Sequence, residues 1–195
     1  MSIVNNEYKH VFVHIPKCAG SSMEREYWVR GNNHFSLHQL YRLHPNEVKN
    51  YFKWTFIRNP FDRIASAYYF FSGQTNTERE IIKYRSIDNG FNKFLLNIEK
   101  YMDTCQHIKT LTHFIKCPDN ISMDFIGKFE NLNQDWHDLL VKMNIKPYKL
   151  PLINKNKNKP IDKTYFELYN EQDKDVVKSI YKEELMTYYP ELLSL

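Results

Sequence analysis

Apolar and polar positions along this chain follow two periods, and the switching between them predicts strands interleaved with helices. His10–Ile15 (HVFVHI) and Lys53–Ile57 (KWTFI) are short runs of β-branched and aromatic residues, and each predicts a buried strand. Met123–Phe129 (MDFIGKF) predicts a third. Helical spacing marks Ser21–Arg30, Ser36–Leu43, Pro45–Phe52, Asn76–Ser86, Phe91–Tyr101, Asn131–Asn144 and Glu171–Tyr188. A further helix is capped by Asn59, opened by Pro60 and runs to about Phe71. Strand–helix alternation of this kind implies an α/β fold: a central parallel β-sheet flanked by helices on both faces. The sequence carries no internal repeat. The stretch Asn154–Lys159 (NKNKNK), between Pro151 and Pro160, reads as a lysine-rich loop.

A length of 195 residues suits one domain over residues 1–195. Apolar residues make up 42% and charged residues 26%, which excludes a wholly disordered or fibrous chain. Fourteen Tyr and thirteen Phe supply bulk for a core, whereas only five Gly are present, so a glycine inside a motif carries information. The net charge of +4 is uneven: residues 1–163 carry +8 and residues 164–195 carry −4. A basic body suits an anionic ligand without saying which. No apolar run approaches the roughly 18 residues that span a bilayer. The start MSIVNNEYKH also lacks the basic-then-apolar pattern of a secretory signal. Three cysteines do not make a disulfide framework. The expectation is a cytoplasmic protein with reduced thiols, in which Cys105 and Cys117 would pair only in an oxidising compartment.

Two strand-to-helix connections carry the chemistry. In the first, His14-Ile15-Pro16-Lys17-Cys18-Ala19-Gly20-Ser21-Ser22, a small-residue loop leads into a helix. Unpaired N–H groups at the helix start, the hydroxyls of Ser21 and Ser22, the mobile charge of Lys17 and the bare backbone of Gly20 together suit a phosphate-like group. The same residues also suit a capped helix with a solvated lysine. Nucleoside-triphosphate loops place lysine after their second glycine, and Lys17 precedes Gly20, so a kinase or NTPase reading loses ground. In the second connection, Phe56-Ile57-Arg58-Asn59-Pro60-Phe61-Asp62-Arg63-Ile64-Ala65-Ser66, Arg58 sits at the C-terminal end of a strand, where open α/β sheets bind ligands. Ser66 lies about two turns into the helix that follows. A guanidinium fork with a hydroxyl suits a terminal phosphate; an Arg58–Asp62 pair with Ser66 as a packing residue suits the same letters.

Taken together, the segments resemble a known family. HIPKCAGSS is similar to the 5′-phosphosulfate loop of sulfotransferases that use 3′-phosphoadenosine-5′-phosphosulfate (PAPS). The Arg58–Ser66 pair in FIRNPFDRIASAYYFF resembles their 3′-phosphate motif. The likeness is to the carbohydrate (Golgi-type) branch and its bacterial relatives. It extends to GKFENLNQDW (Gly127–Trp136) and, more faintly, to Leu150–Tyr181, with Tyr165 and Tyr169. Cys18 stands where threonine is usual.

The resemblance implies PAPS as co-substrate, no metal, and a hydroxyl-bearing acceptor of sugar or glycan type; no nucleic-acid partner is expected, and the expected lack of a membrane stem is a departure from the family pattern. It implies that Lys17, Cys18, Ala19, Gly20, Ser21 and Ser22 bind the 5′-phosphosulfate and that Arg58 and Ser66 bind the 3′-phosphate. Lys17 would also meet charge on the leaving oxygen. The acceptor proton needs a base, for which histidine is suited near neutral pH. Asn33-His34-Phe35-Ser36-Leu37 fits the family pattern and selects His34, with His38 as runner-up. These two are four residues apart, as zinc ligands on a helix can be, but a third ligand at sensible spacing is not visible. Glu130 receives no catalytic role, and the Lys155, Lys157 and Lys159 loop fits either phosphate contact or solvation. Two other classes remain open at this point: a magnesium-dependent kinase or NTPase, and a non-catalytic nucleotide- or anionic-glycan-binding module.

Overall fold

The computed structural model describes residues 2–26, 34–72, 90–151 and 165–194. The expected helix Asn76–Ser86, the end of Ser21–Arg30 and the loop Asn154–Lys159 lie outside the described residues. In chain order the elements are β1 (Ile3–Asn5), β2 (His10–Val13), α1 (Gly20–Glu26), α2 (Leu37–Leu43), α3 (Pro45–Asn50), β3 (Phe52–Ile57), α4 (Pro60–Ser72), α5 (Phe91–Leu96), α6 (Ile98–Met102), α7 (Leu111–Ile115), β4 (Phe125–Lys128), α8 (Leu132–Lys142), α9 (Glu171–Ile180) and α10 (Lys182–Tyr188). The chain forms two compact units: Met1–Arg58 with Thr110–Asn154, and Asn59–Lys109 with Lys155–Leu195.

The first unit contains a four-stranded sheet in the order β1-β2-β3-β4, flanked by helices. The pairs β2–β3 and β3–β4 are parallel, as the strand–helix alternation predicts. The sheet is mixed, however, because β1 pairs antiparallel with β2, with Ile3 opposite Phe12. Three residues are too few to show a period, so this edge strand is defined by its partner rather than by its own pattern. β3 sits between two strands, and Trp54, Thr55, Phe56 and Ile57 are buried. On one face Phe12 stacks on Trp54 at 4.2 Å, and Trp136 of α8 meets Trp54 at 6.2 Å and Phe56 at 6.5 Å. Gly127 of β4 is required there: a Cβ at that position would lie 2.4 Å from the Phe56 ring. Lys53 pairs with Asp124 at 2.8 Å and donates to the carbonyl of Tyr51 at 2.8 Å.

The same face buries His10 completely, and its Nδ1 accepts from the indole N–H of Trp54 at 3.2 Å. Burial pushes this imidazole down to about 4. The unfolded chain then takes up a proton near pH 6.5 that the folded chain refuses, so His10 supports the fold above that pH and the support is lost on acidification towards pH 4. Between pH 8 and pH 5 the expected loss is about 2 kcal/mol. Urea unfolding of wild type and His10→Asn at both pH values measures it: the variant shows the smaller decline.

The second unit is helical among its described residues. Arg63 of α4 is fully buried, paired with Glu184 of α10 at 3.4 Å, and donates to the carbonyl of His107 at 3.4 Å. The Tyr181 hydroxyl donates to the carbonyl of Ile108, and burial holds that phenol well above its ordinary value. The hydroxyl of Tyr169 donates to the carbonyl of Phe61 at 2.7 Å. Two helices expected to be continuous are broken in this unit. Asn97 interrupts Phe91–Tyr101, with its side chain donating to the carbonyl of Lys93 at 2.9 Å in competition with the helical pattern. Tyr181 interrupts Glu171–Tyr188, where burying the ring takes its backbone out of helical geometry (φ −103°, ψ 23°). Among the described residues, no helix is long and apolar enough to cross a membrane. Cys18, Cys105 and Cys117 are free thiols.

Candidate functional site: the loop after β2

β2 ends at Val13, and the chain turns through His14–Ala19 into α1. Lys17 and Ala19 both adopt the left-handed region, at φ 67° and 64°. Side chains with a Cβ disfavour that region by about 1–2 kcal/mol each, so the conformation persists only where its surroundings impose it. Several contacts impose it here. Arg58 Nη1 donates to the carbonyl of Lys17 at 3.3 Å. The carbonyl of Ala19 accepts from the N–H groups of Ser22 at 2.9 Å and Met23 at 3.4 Å. Cys18 is buried, with its Sγ donating to the carbonyl of Pro16 at 3.6 Å. Ser21 is exposed and Ser22 buried.

Gly20 has a reason that the sequence did not disclose. A Cβ there would lie 2.1 Å from Cδ2 and Nε2 of His14, so the missing side chain makes room for an imidazole. His14 is buried, stacks on Phe12 at 5.7 Å and meets the ring of His34 edge-on at 4.5 Å. Nδ1 of His34 lies 3.3 Å from the carbonyl of His14. A carbonyl only accepts, so Nδ1 carries the proton in this bond and the lone pair of the neutral ring resides on Nε2. Burial lowers the pKa of His34, the bond to His14 opposes that shift, and the charge of Lys17 adds to it. His38, by contrast, is exposed on α2. The His34 segment ends at Ser36, which caps α2 in a reciprocal capping box with Gln39.

Arg58 follows the last residue of β3 and is mostly buried. Its guanidinium lies over the ring of Phe129 at 4.1 Å, a platform immediately after β4. Burial and the nearby guanidinium push the Lys17 ammonium down to about 8, an effect that Cys18 partly opposes. Lys17, Arg58, His14 and His34 are thus gathered around one loop of the first unit. Ser66 is buried on α4, in the second unit. Glu130 is exposed in the turn Phe129–Asn131. Sequence reasoning assigned no part to His14 or Phe129, although both stand inside the quoted motifs. No periodicity signals an aromatic platform or a ring packed on a glycine.

Away from this loop, a cavity of about 410 Å³ is lined by Lys49, Lys53, Asp119, Asn120, Ile121, Ser122 and Asp124. It lies by the start of β3, the end opposite Arg58. Its carboxylates are engaged: Asp124 by Lys53 and Asp119 by the hydroxyl of Tyr41 at 2.7 Å. Among the described residues, no group of three or more His, Cys, Asp or Glu side chains is placed to hold a metal ion.

At the C-terminal end of two parallel strands of an α/β sheet, a left-handed loop carrying Lys17 is thus bonded by Arg58, which follows the neighbouring strand. The model of the sulfotransferase family matches residues 1–190, and the chain belongs to that family. Neither the curated proteins nor the solved structures gave a significant match. Family membership supports sulfuryl transfer to a hydroxyl-bearing acceptor as the general activity.

Proposed function

We propose that this chain transfers the sulfuryl group of PAPS to a carbohydrate hydroxyl, by in-line attack with His34 as general base. The observation that carries the reading is the joining of Lys17 and Arg58 on one loop. The ammonium is disfavoured by burial and by the guanidinium, and a bound polyanion would relieve both costs. Two cationic side chains and a backbone held in left-handed turns fit a phosphosulfate. Its 3′-phosphate would fall to Arg58; Ser66 enters on the likeness of its motif alone. The carbohydrate acceptor rests on the resemblance of HIPKCAGSS and FIRNPFDRIASAYYFF to the carbohydrate branch. Residues 1–195 are read as one sulfotransferase domain, because both units are built from interleaved stretches of chain.

When bound, the nucleotide supplies a sulfuryl group already activated on a phosphate leaving group. The chain's own residues do the rest. Nε2 of His34 takes the acceptor's proton as the acceptor oxygen bonds to sulfur and the bridging S–O bond breaks. Lys17 meets the negative charge that gathers on the departing oxygen in a loose, in-line transition state. His34 then returns its proton to solvent. Sulfated acceptor and adenosine 3′,5′-bisphosphate leave.

Thermal melting with adenosine 3′,5′-bisphosphate tests the reading. At one hundred times Kd the ligand stabilises the fold by about 2.7 kcal/mol. Arg58→Ala weakens binding by about 10–100-fold, the worth of a charge-assisted contact. No change in Tm at millimolar bisphosphate, or a shift that needs magnesium and ATP instead, overturns it.

A further inference from the structure

The hydroxyl of Ser2 lies between two pieces of backbone that flank the His34 imidazole. Its Oγ accepts from the N–H of His14 at 2.9 Å and donates to the carbonyl of Phe35 at 2.6 Å. His14 is the residue whose carbonyl receives Nδ1 of His34 and whose ring packs against it. Phe35 is the covalent neighbour of His34. The position of Ser2 follows from β1: with Ile3 opposite Phe12 in an antiparallel pair, the preceding residue reaches the exit of β2. An edge strand of three residues adds little to a sheet, yet this one delivers a hydroxyl to the turn that carries the base.

We propose that Ser2 is a positioning residue for His34, acting through Phe35 and His14. The proposal rests on the reading of His34 as the base but is tested apart from it. Ser2 fixes the carbonyl of Phe35 to the N–H of His14, which sets the distance between the His34 ring and the His14 carbonyl. At 3.3 Å the Nδ1 bond is long for an N–H···O contact, so a small displacement of Phe35 breaks it. Once broken, nothing in that bond commits the proton to Nδ1, and Nε2 no longer keeps the lone pair a base needs. His14 and Lys17 face His34, and the N-terminal ammonium also lowers its pKa. A change at Ser2 takes the hydroxyl from the His14 N–H but adds or removes none of these titratable groups.

The readout is the tautomer of His34, followed by long-range ¹H–¹⁵N correlation of the imidazole above its pKa, with no donor or acceptor present. The wild type shows the Nδ1–H form. Ser2→Ala shows a mixture with the Nε2–H form, and Ser2→Thr, which keeps the hydroxyl, restores the wild-type spectrum. With PAPS and a turned-over sugar acceptor, Ser2→Ala lowers kcat about tenfold and leaves KM for PAPS within twofold. A wild-type Nε2–H tautomer, or a Ser2→Ala spectrum identical to wild type, overturns the proposal. His34→Ala assayed alongside separates the two ideas. Normal turnover there removes the base and leaves the tautomer result standing on its own. Lost turnover there, with an unaltered Ser2→Ala spectrum, removes only the positioning role.

Discussion

His34→Ala lowers kcat by on the order of 10²-fold or more, the usual contribution of a positioned general base. In the proposed mechanism the loss falls on kcat, because His34 would act on the acceptor proton while Lys17 and Arg58 would hold the donor. Donor affinity, read from the melting shift with adenosine 3′,5′-bisphosphate, therefore stays near wild type. The pH profile carries the same signature. Burial lowers the pKa of His34, so the ring is neutral and basic down to a lower pH than an exposed histidine allows. In wild type the acid limb of kcat lies below about 6.5, the ordinary value for the side chain. His34→Ala loses that limb. His38→Ala, at an exposed site on α2, leaves both kcat and its profile within a few-fold of wild type. Near-normal turnover in His34→Ala with loss in His38→Ala would transfer the role to His38.

Lys17→Ala also lowers kcat by on the order of 10²-fold, by removing the charge that, in the proposed mechanism, meets the leaving oxygen. Its expected effect differs from that of His34 because the proposal also has Lys17 touch the donor, so Kd rises together with the fall in kcat. A pH titration isolates the lysine. Its ammonium titrates at about 8 in the free protein. Only the charged form attracts an anion, and a bound anion raises the pKa. Donor affinity is therefore full below pH 8 and falls as pH rises through 8, by up to tenfold per pH unit until the raised pKa is reached. Kd for adenosine 3′,5′-bisphosphate measured by calorimetry at pH 7 and pH 9 shows this slope in wild type. Lys17→Ala flattens it. A wild-type Kd that does not change between those pH values assigns the charge at the site to Arg58 alone.

Much of this was legible in the chain itself. HVFVHI and KWTFI announced β2 and β3 because strands buried on both faces are written as continuous apolar runs. The small-residue loop Pro16–Gly20 and the cap-then-proline start at Asn59–Pro60 announced the two connections. Local rules state such features within a few residues. β1 was not legible, since three residues carry no period, and neither were the breaks at Asn97 and Tyr181. Those depend on a side-chain amide bonding the carbonyl of Lys93 and on a ring that must reach the carbonyl of Ile108.

The site divides in the same way. By itself the sequence determined which residue types are present at the ends of β2 and β3, namely a lysine and small residues, an arginine, and a histidine between them, because these stand in short local motifs. Only the tertiary structure decided that Arg58 bonds the Lys17 carbonyl, that Phe129 carries the guanidinium, and that His14 fills the space Gly20 leaves. It also decided which nitrogen of His34 is committed. Each of these is a contact between residues from roughly 6 to 70 positions apart, and the register of neighbouring strands sets it. Spacing along one segment holds no record of what a neighbouring strand brings alongside.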